Sequence, residues 1–256
     1  MTADPGEAWI DAAIARHTRD FSTSEFLKAV RALSARYVER RGELGRRSPI
    51  DSAGKRAAFA GFFAPLHFLT ARAAVRVLGA HERGIETIVD LGCGTGVASA
   101  AWAIECRVPP AILGIDRDAS SLAEATWTWR QCHLAGRTKR GDLVTALDAA
   151  TAPFLRHPSS LGIVLGWSVN ELDGQSRAGL LTRLSALGVG GASVLIIEPL
   201  SRAAAPWWDD WTRTWTAHGG RSDLWKFEDA LPPSLSALSE AAGFRRETLG
   251  ARTLWR

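Results

Sequence analysis

Short apolar runs alternate with stretches of helical spacing from about residue 85 onward. Thr87–Leu91, Ala111–Asp116 and Ser193–Glu198 read as strands, as do residues 161–167, and 139–142 close a shorter one. Residues 96–106, 119–135 and 177–187 carry helical periodicity between them. The runs at 163–165 and 194–197 show no polar alternation, which suits strands buried on both faces. Repeated strand–helix alternation predicts an α/β chain with a Rossmann-like, mostly parallel sheet and helices on both faces. Residues 7–46 read as helices. Ile10, Ala13, Ile14 and His17 form one stripe, and Phe26, Val30, Leu33 and Tyr37 a second. Ser24 is the expected cap of the second helix. A further helix covers 55–78, with Pro65 as a candidate break. After Glu198 comes an excursion over 199–231, then a helix over 234–242 ended by Gly243. Residues 244–249 and 253–255 are expected terminal strands. This divides the chain into an N-terminal helical region, 1–81, and an α/β domain, 82–256.

Composition excludes little. With 256 residues, 46% hydrophobic and 23% charged, the chain has the values of an ordinary globular protein. Three cysteines, Cys93, Cys106 and Cys132, make no disulfide framework and no zinc-ligand pairs, so no metal is expected and a cytoplasmic setting is the default. The start lacks the basic and apolar regions of a signal peptide. No run of about 18 uncharged apolar residues suggests a membrane span. The net charge of +4 is unevenly placed: residues 1–80 hold 13 basic and 8 acidic side chains, the rest 18 and 19. Any electrostatic contact with RNA would therefore use the basic N-terminal segment, chiefly residues 36–56.

The chemistry centres on Asp90-Leu91-Gly92-Cys93-Gly94-Thr95-Gly96, between a strand and a helix. Glycines there let the backbone turn sharply and approach a ligand closely. A dinucleotide fingerprint needs Gly-x-Gly-x-x-Gly; here the spacing is Gly-x-Gly-x-Gly and Val97 follows. Asp116 ends the next strand 20 residues after Gly96, the separation at which a carboxylate meets ribose hydroxyls.

This stretch resembles motif I of the class I S-adenosylmethionine-dependent methyltransferases, and the resemblance extends over most of residues 85–256. It implies S-adenosylmethionine as cofactor. Gly92, Cys93, Gly94 and Gly96 would hold the methionine end with Asp90, and Asp116 the ribose. Arg117 would flank the adenine, Asp142 would accept from its amino group, and Leu143 and Trp167 would complete the wall. In such enzymes the end of the fourth strand faces the methyl group. Here it reads Gly166-Trp167-Ser168-Val169-Asn170-Glu171, without the Asn/Asp-Pro-Pro-aromatic sequence of enzymes that methylate base amines. No cysteine near that strand supports cytosine C5 chemistry. Asn170 and Glu171 are the candidates for polar work, although Asn170 or Asp173 also reads as a helix cap. Glu198 is expected to point into the same cleft. His67 is either a core residue or a group reaching over the cofactor.

The Asn170-Glu171-Leu172 and Ile197-Glu198-Pro199 stretches also resemble ribosomal small-subunit methyltransferase-like proteins of bacteria and mitochondria. That group carries cysteine ligands for an iron–sulfur cluster, and no cysteine follows Cys132 here. The expected function is methyl transfer to an unidentified acceptor, RNA or a small molecule. The alternatives are an RNA-binding assembly factor with a retained cofactor fold and a small-molecule tailoring enzyme. Trp207, Trp211 and Trp215 share one helical face, which reads as a core stripe or as a lid stacking on the acceptor. Trp225 is a further candidate for the acceptor cleft.

Overall fold

The computed structural model describes residues 4–39, 52–228, 230–244 and 248–256. Seven strands form one sheet: β1 (Thr87–Leu91), β2 (Ala111–Asp116), β3 (Gly136–Arg140), β4 (Leu161–Gly166), β5 (Ser193–Glu198), β6 (Arg221–Phe227) and β7 (Leu249–Trp255). Their order is β3-β2-β1-β4-β5-β7-β6. Strands β1 to β5 pair in parallel, whereas β7 runs antiparallel to both β5 and β6. The strand order reverses direction between β1 and β4, so a cleft opens at their carboxyl ends.

Alternation along the buried strands divides the core in two. Val164, Leu195 and Ile197 face one side of the sheet, and Ile163, Leu165, Val194 and Ile196 the other. The first side is covered by α1 (Pro5–Thr18), α2 (Thr23–Glu39), α3 (Ala53–Ala58), α4 (Ala64–Leu78), α5 (Val97–Glu105) and α6 (Ala119–Gln131), together with α10 (Pro233–Ala241). The second is covered by α7 (Leu143–Thr151), α8 (Gly174–Val189) and α9 (Trp208–Ala217). The N-terminal helices share the first core: Trp9, Phe26, Phe62 and Val75 belong to one cluster with Ile88, Trp102 and Trp255. That core continues without a break past position 81. A salt-bridge junction reinforces it. The mostly buried Arg72 binds Glu105 of α5 at 2.5 Å and Asp4, the cap of α1, at 2.5 Å.

Several local expectations change. Ser22, not Ser24, caps α2: its hydroxyl accepts from the Glu25 N–H while the Glu25 carboxylate accepts from the Ser22 N–H. This is a reciprocal capping box. The helix expected over 55–78 is interrupted by a wide π-type turn at Phe59–Phe63, not at Pro65. Pro65 lies in the first turn of α4, where its missing N–H costs nothing. The stretch Ala53–Leu78 has the length and composition of a membrane span, with mean hydropathy 1.3, but 78% of that window is buried in the fold. Asp173 caps α8, which starts earlier than expected. Strand β6 lies inside the expected excursion, and β7 starts at Leu249. Residues 245–247 lie outside the described residues, as do residues 40–51 of the basic segment.

The tryptophan stripe packs into the core. Trp208, Trp211 and Trp215 are buried, and the Trp215 indole donates to the Trp255 carbonyl at 3.1 Å. Trp225 lies in β6, donates to the Thr253 hydroxyl and is not in the wall of the cleft described next.

Candidate active site at the glycine loop

A cavity of about 1240 Å³ opens where β1, β2 and β4 end. The loop after β1 forms its floor. Gly92 and Cys93 N–H groups donate to the Ile115 carbonyl at 2.8 and 3.0 Å, which ties the loop to β2. The Gly94 N–H donates to Asp116 Oδ2 at 2.9 Å, and the Asp118 N–H to Oδ1 at 2.9 Å. Asp116 is thereby fixed at the cavity's edge with lone pairs to spare.

The three loop glycines have different reasons to be glycine. All have positive φ, at 71°, 51° and 74° for Gly92, Gly94 and Gly96. A Cβ on Gly92 would fall 2.7 Å from that of Ser168, whose hydroxyl bonds the Leu91 carbonyl. A Cβ on Gly96 would fall 2.8 Å from the Trp129 indole, which donates to the Gly96 carbonyl at 2.9 Å. A Cβ on Gly94 would meet nothing within 4 Å, and Gly94 lines the cavity. Gly96 was expected to hold the cofactor, but it does not line the cavity; it is the seat of Trp129.

Asp90 is 1% exposed and lines the cavity, and its Oδ2 has no hydrogen-bond partner among the described residues. Burial pushes its carboxyl up to about 7, with the nearby Asp116 charge adding to the rise and Ser99 opposing it. The Cys93 thiol is buried and pushed well above its ordinary value, so this residue offers the cavity its backbone rather than a thiolate. Arg117 stands at the rim with its Nε 3.8 Å from Asp142 Oδ2. Asp142, expected to accept from adenine, caps α7: its Oδ1 accepts from the Val144 and Thr145 N–H groups at 3.0 and 3.1 Å. It lies outside the cavity wall, which Leu143 enters.

At the end of β4, Trp167 adopts φ 58°, a left-handed conformation rare for a bulky residue. Its N–H donates to the Ile197 carbonyl at 2.8 Å. Its indole lies flat against His67 of α4, centroids 3.9 Å apart and planes 9° apart. The edge of Phe59 meets the same imidazole at 5.9 Å. His67 therefore lines the cavity from the N-terminal helices.

Asn170 lines the cavity, but both ends of its amide are engaged. The Trp207 indole N–H, which can only donate, reaches Asn170 Oδ1 at 3.1 Å. The amide nitrogen therefore faces Glu198, whose other oxygen accepts from the Val169 N–H at 3.0 Å. Glu198 was expected in the cleft; it is instead fully buried behind Asn170. Burial pushes its carboxyl up to about 8, against the two hydrogen bonds it accepts. Glu171 stands at the cavity mouth, and crowding by the walls and the Asp116 charge raise its carboxyl.

No family model matches the sequence, and no curated protein matches it. Solved structures resemble the fold. A precorrin 8w decarboxylase from Methanobacterium thermoautotrophicum is 17% identical, with 72% of this chain and 87% of that one covered and a TM-score of 0.45. A precorrin-6y C5,15-methyltransferase from Geobacter metallireducens is 10% identical, with 72% and 87% covered and a TM-score of 0.43. An O-methyltransferase family protein from Burkholderia thailandensis is 15% identical, with 80% of this chain and 60% of that one covered and a TM-score of 0.48. The seven-stranded, mostly parallel sheet with β7 reversed and a glycine loop at its switch point is the Rossmann-like architecture that the sequence predicts.

Proposed function

We propose that the chain is an S-adenosylmethionine-dependent methyltransferase acting on a small molecule. One observation carries this reading. A glycine loop at the topological switch point opens on a cavity flanked by two carboxylates: Asp90, buried with an unpartnered oxygen, and Asp116, held at the end of β2. The donor set fits the cofactor. Asp90 suits a cationic amino group, and Asp116 a ribose diol. The bare backbone at Gly94 suits close contact, while Leu143 suits a flat base.

The cofactor, when bound, supplies a methyl group activated on a sulfonium. The chain's own residues bind, orient and exclude water. Cys93 contributes backbone, and Gly96 acts through Trp129. Asn170 is a strut clamped by Glu198 and Trp207, and Glu171 and His67 are titratable side chains in the same cavity wall. The three cysteines are buried and unbridged, which suits a reducing compartment. The RNA-binding alternative rests on the basic segment, of which residues 40–51 lie outside the described residues.

Incubating the protein with methyl-labelled cofactor and cell extract tests the reading. Label is expected in the metabolite fraction. Label confined to RNA or protein would refute the small-molecule assignment, and no transfer to any fraction would refute the activity.

A further inference from the structure

The cavity is larger than one ligand needs. Pockets for a single drug-sized molecule occupy roughly 300–1,000 Å³, and this one holds about 1240 Å³. The loop after β1 and the ends of β1 and β2 claim one part of it. The remainder is walled by Phe59, Phe63, Leu66 and His67 from the N-terminal helices, by Trp167 from β4 and by Leu249 from β7. Phe59, His67 and Trp167 form a continuous run of rings across it. Trp167 joins that run through a backbone conformation that costs a non-glycine residue free energy, a kind of strain that clusters at ligand clamps.

The charge of the wall selects further. Among the described residues the cavity is lined by six carboxylates and two arginines, Arg56 and Arg117. Glu124 is paired with Arg16 and His17, and Asp20 with Arg19, while Asp118 and Glu171 are exposed. A phosphodiester chain needs cations along its path, and among the described residues this wall holds more carboxylates than cations.

We propose that this second compartment is the acceptor site and takes a small, planar aromatic molecule that is neutral or cationic. The Phe59–His67–Trp167 run is its stacking surface and Trp167 its specificity determinant. The proposal rests on the methyltransferase reading. Apolar walls with a few polar groups bind by burial and set orientation by those groups. Flat rings gain stacking on indole and imidazole, and the acidic mouth disfavours anions.

The test is calorimetry on protein saturated with S-adenosylhomocysteine, which carries no net charge into the cavity. The probes are 2-naphthol, N-methylquinolinium, naphthalene-2-sulfonate and a single-stranded RNA oligonucleotide. The naphthol and the quinolinium are expected to bind, and the sulfonate about tenfold more weakly, because like charges a few ångströms apart repel by that order. Trp167→Leu should weaken the naphthol about tenfold, the size of a lost stacking contact, while S-adenosylhomocysteine still binds. Trp167→Phe should restore most of the loss. Should Trp167→Leu not fold, Phe59→Leu is read in its place. Glu171→Gln should narrow the gap between naphthol and sulfonate. Sulfonate binding as tightly as naphthol, indifference to Trp167→Leu, or displacement of naphthol by the RNA would each overturn the proposal. If S-adenosylhomocysteine binds and none of the rings does, the acceptor inference fails alone. If S-adenosylhomocysteine itself does not bind, the methyltransferase reading fails with it.

Discussion

Replacing Gly94 and Gly96 separately with alanine should separate binding from folding within one loop. Both sit at positive φ, 51° and 74°, so each alanine carries the left-handed penalty of about 1–2 kcal/mol. For Gly94 that is the whole structural cost, because its new Cβ meets no atom within 4 Å. For Gly96 the new methyl stands 2.8 Å from the Trp129 ring and 3.0 Å from the Ala125 backbone, and neither is a flexible chain end. Overpacking of that kind adds about 1–3 kcal/mol. Trp129 is held in place by its bond to the Gly96 carbonyl, and its own ring packs closely against Gly114 and Gly136, so it has little room to yield. At about 2–4 °C per kcal/mol for a chain of this size, Gly94→Ala should lower the melting temperature by a few degrees and Gly96→Ala by about twice as much. Binding should follow the opposite order. The Gly94 methyl enters the space assigned to the cofactor, so Gly94→Ala should abolish calorimetric binding while the fold persists. Thermal melts followed by circular dichroism and titrations with S-adenosylmethionine read both quantities. Equal melting temperatures for the two variants would refute the Trp129 argument. Undiminished cofactor binding by Gly94→Ala would refute the placement of the cofactor.

Asp90 makes cofactor affinity depend on pH. Its carboxyl titrates near 7 in the free protein, and only the ionised form attracts a cationic amino group. Affinity should therefore rise by up to about tenfold between pH 6 and pH 8, from the change in ionised fraction, and Asp90→Asn should flatten the profile; a flat wild-type profile would contradict the role. The same raised value means that Asp90 contributes stability while it keeps its proton. The ligand-free protein should lose stability as the pH climbs from about 4 toward 7, since the unfolded chain releases that proton first. Glu198→Gln puts an amide N–H where the Asn170 amide now finds an acceptor, at a cost of about 1–3 kcal/mol. Trp207→Phe removes one hydrogen bond, about 1 kcal/mol. Combined, the two should cost less than their sum, because they clamp the same amide; strict additivity in urea denaturation would argue against a shared clamp.

What could be read from the sequence is what depends on neighbours along the chain. The strands of β4 and β5 show in continuous apolar runs. The loop from Asp90 to Gly96 and its partner Asp116 show in spacing alone, and the structure brings them together at one cavity. What escaped depends on distant partners. Gly96 looked like a ligand contact because Trp129, 33 residues away, is invisible to local pattern. Asn170 looked free for chemistry because Glu198 and Trp207 close around it from two other elements. Asp142 looked like a binding acid, yet it starts a helix whose apolar stripe begins directly after it. Strand β6 was hidden because it is a half-exposed edge strand, alternating weakly and flanked by glycine. The left-handed turn at Trp167 has no sequence signature, since glycine or asparagine is the usual occupant of that region.

The most direct test of the account is calorimetry of the purified chain with S-adenosylmethionine, repeated on Asp116→Ala. Asp116 is expected to accept the ribose hydroxyls and already accepts from the Gly94 N–H, so its removal should weaken binding about 100-fold, the value of two hydrogen bonds to a charged group. Saturable one-to-one binding by the wild type and that loss in the variant are the predicted results. Folded wild-type protein that binds no cofactor at millimolar concentration, or a variant that binds as tightly as wild type, would contradict the account.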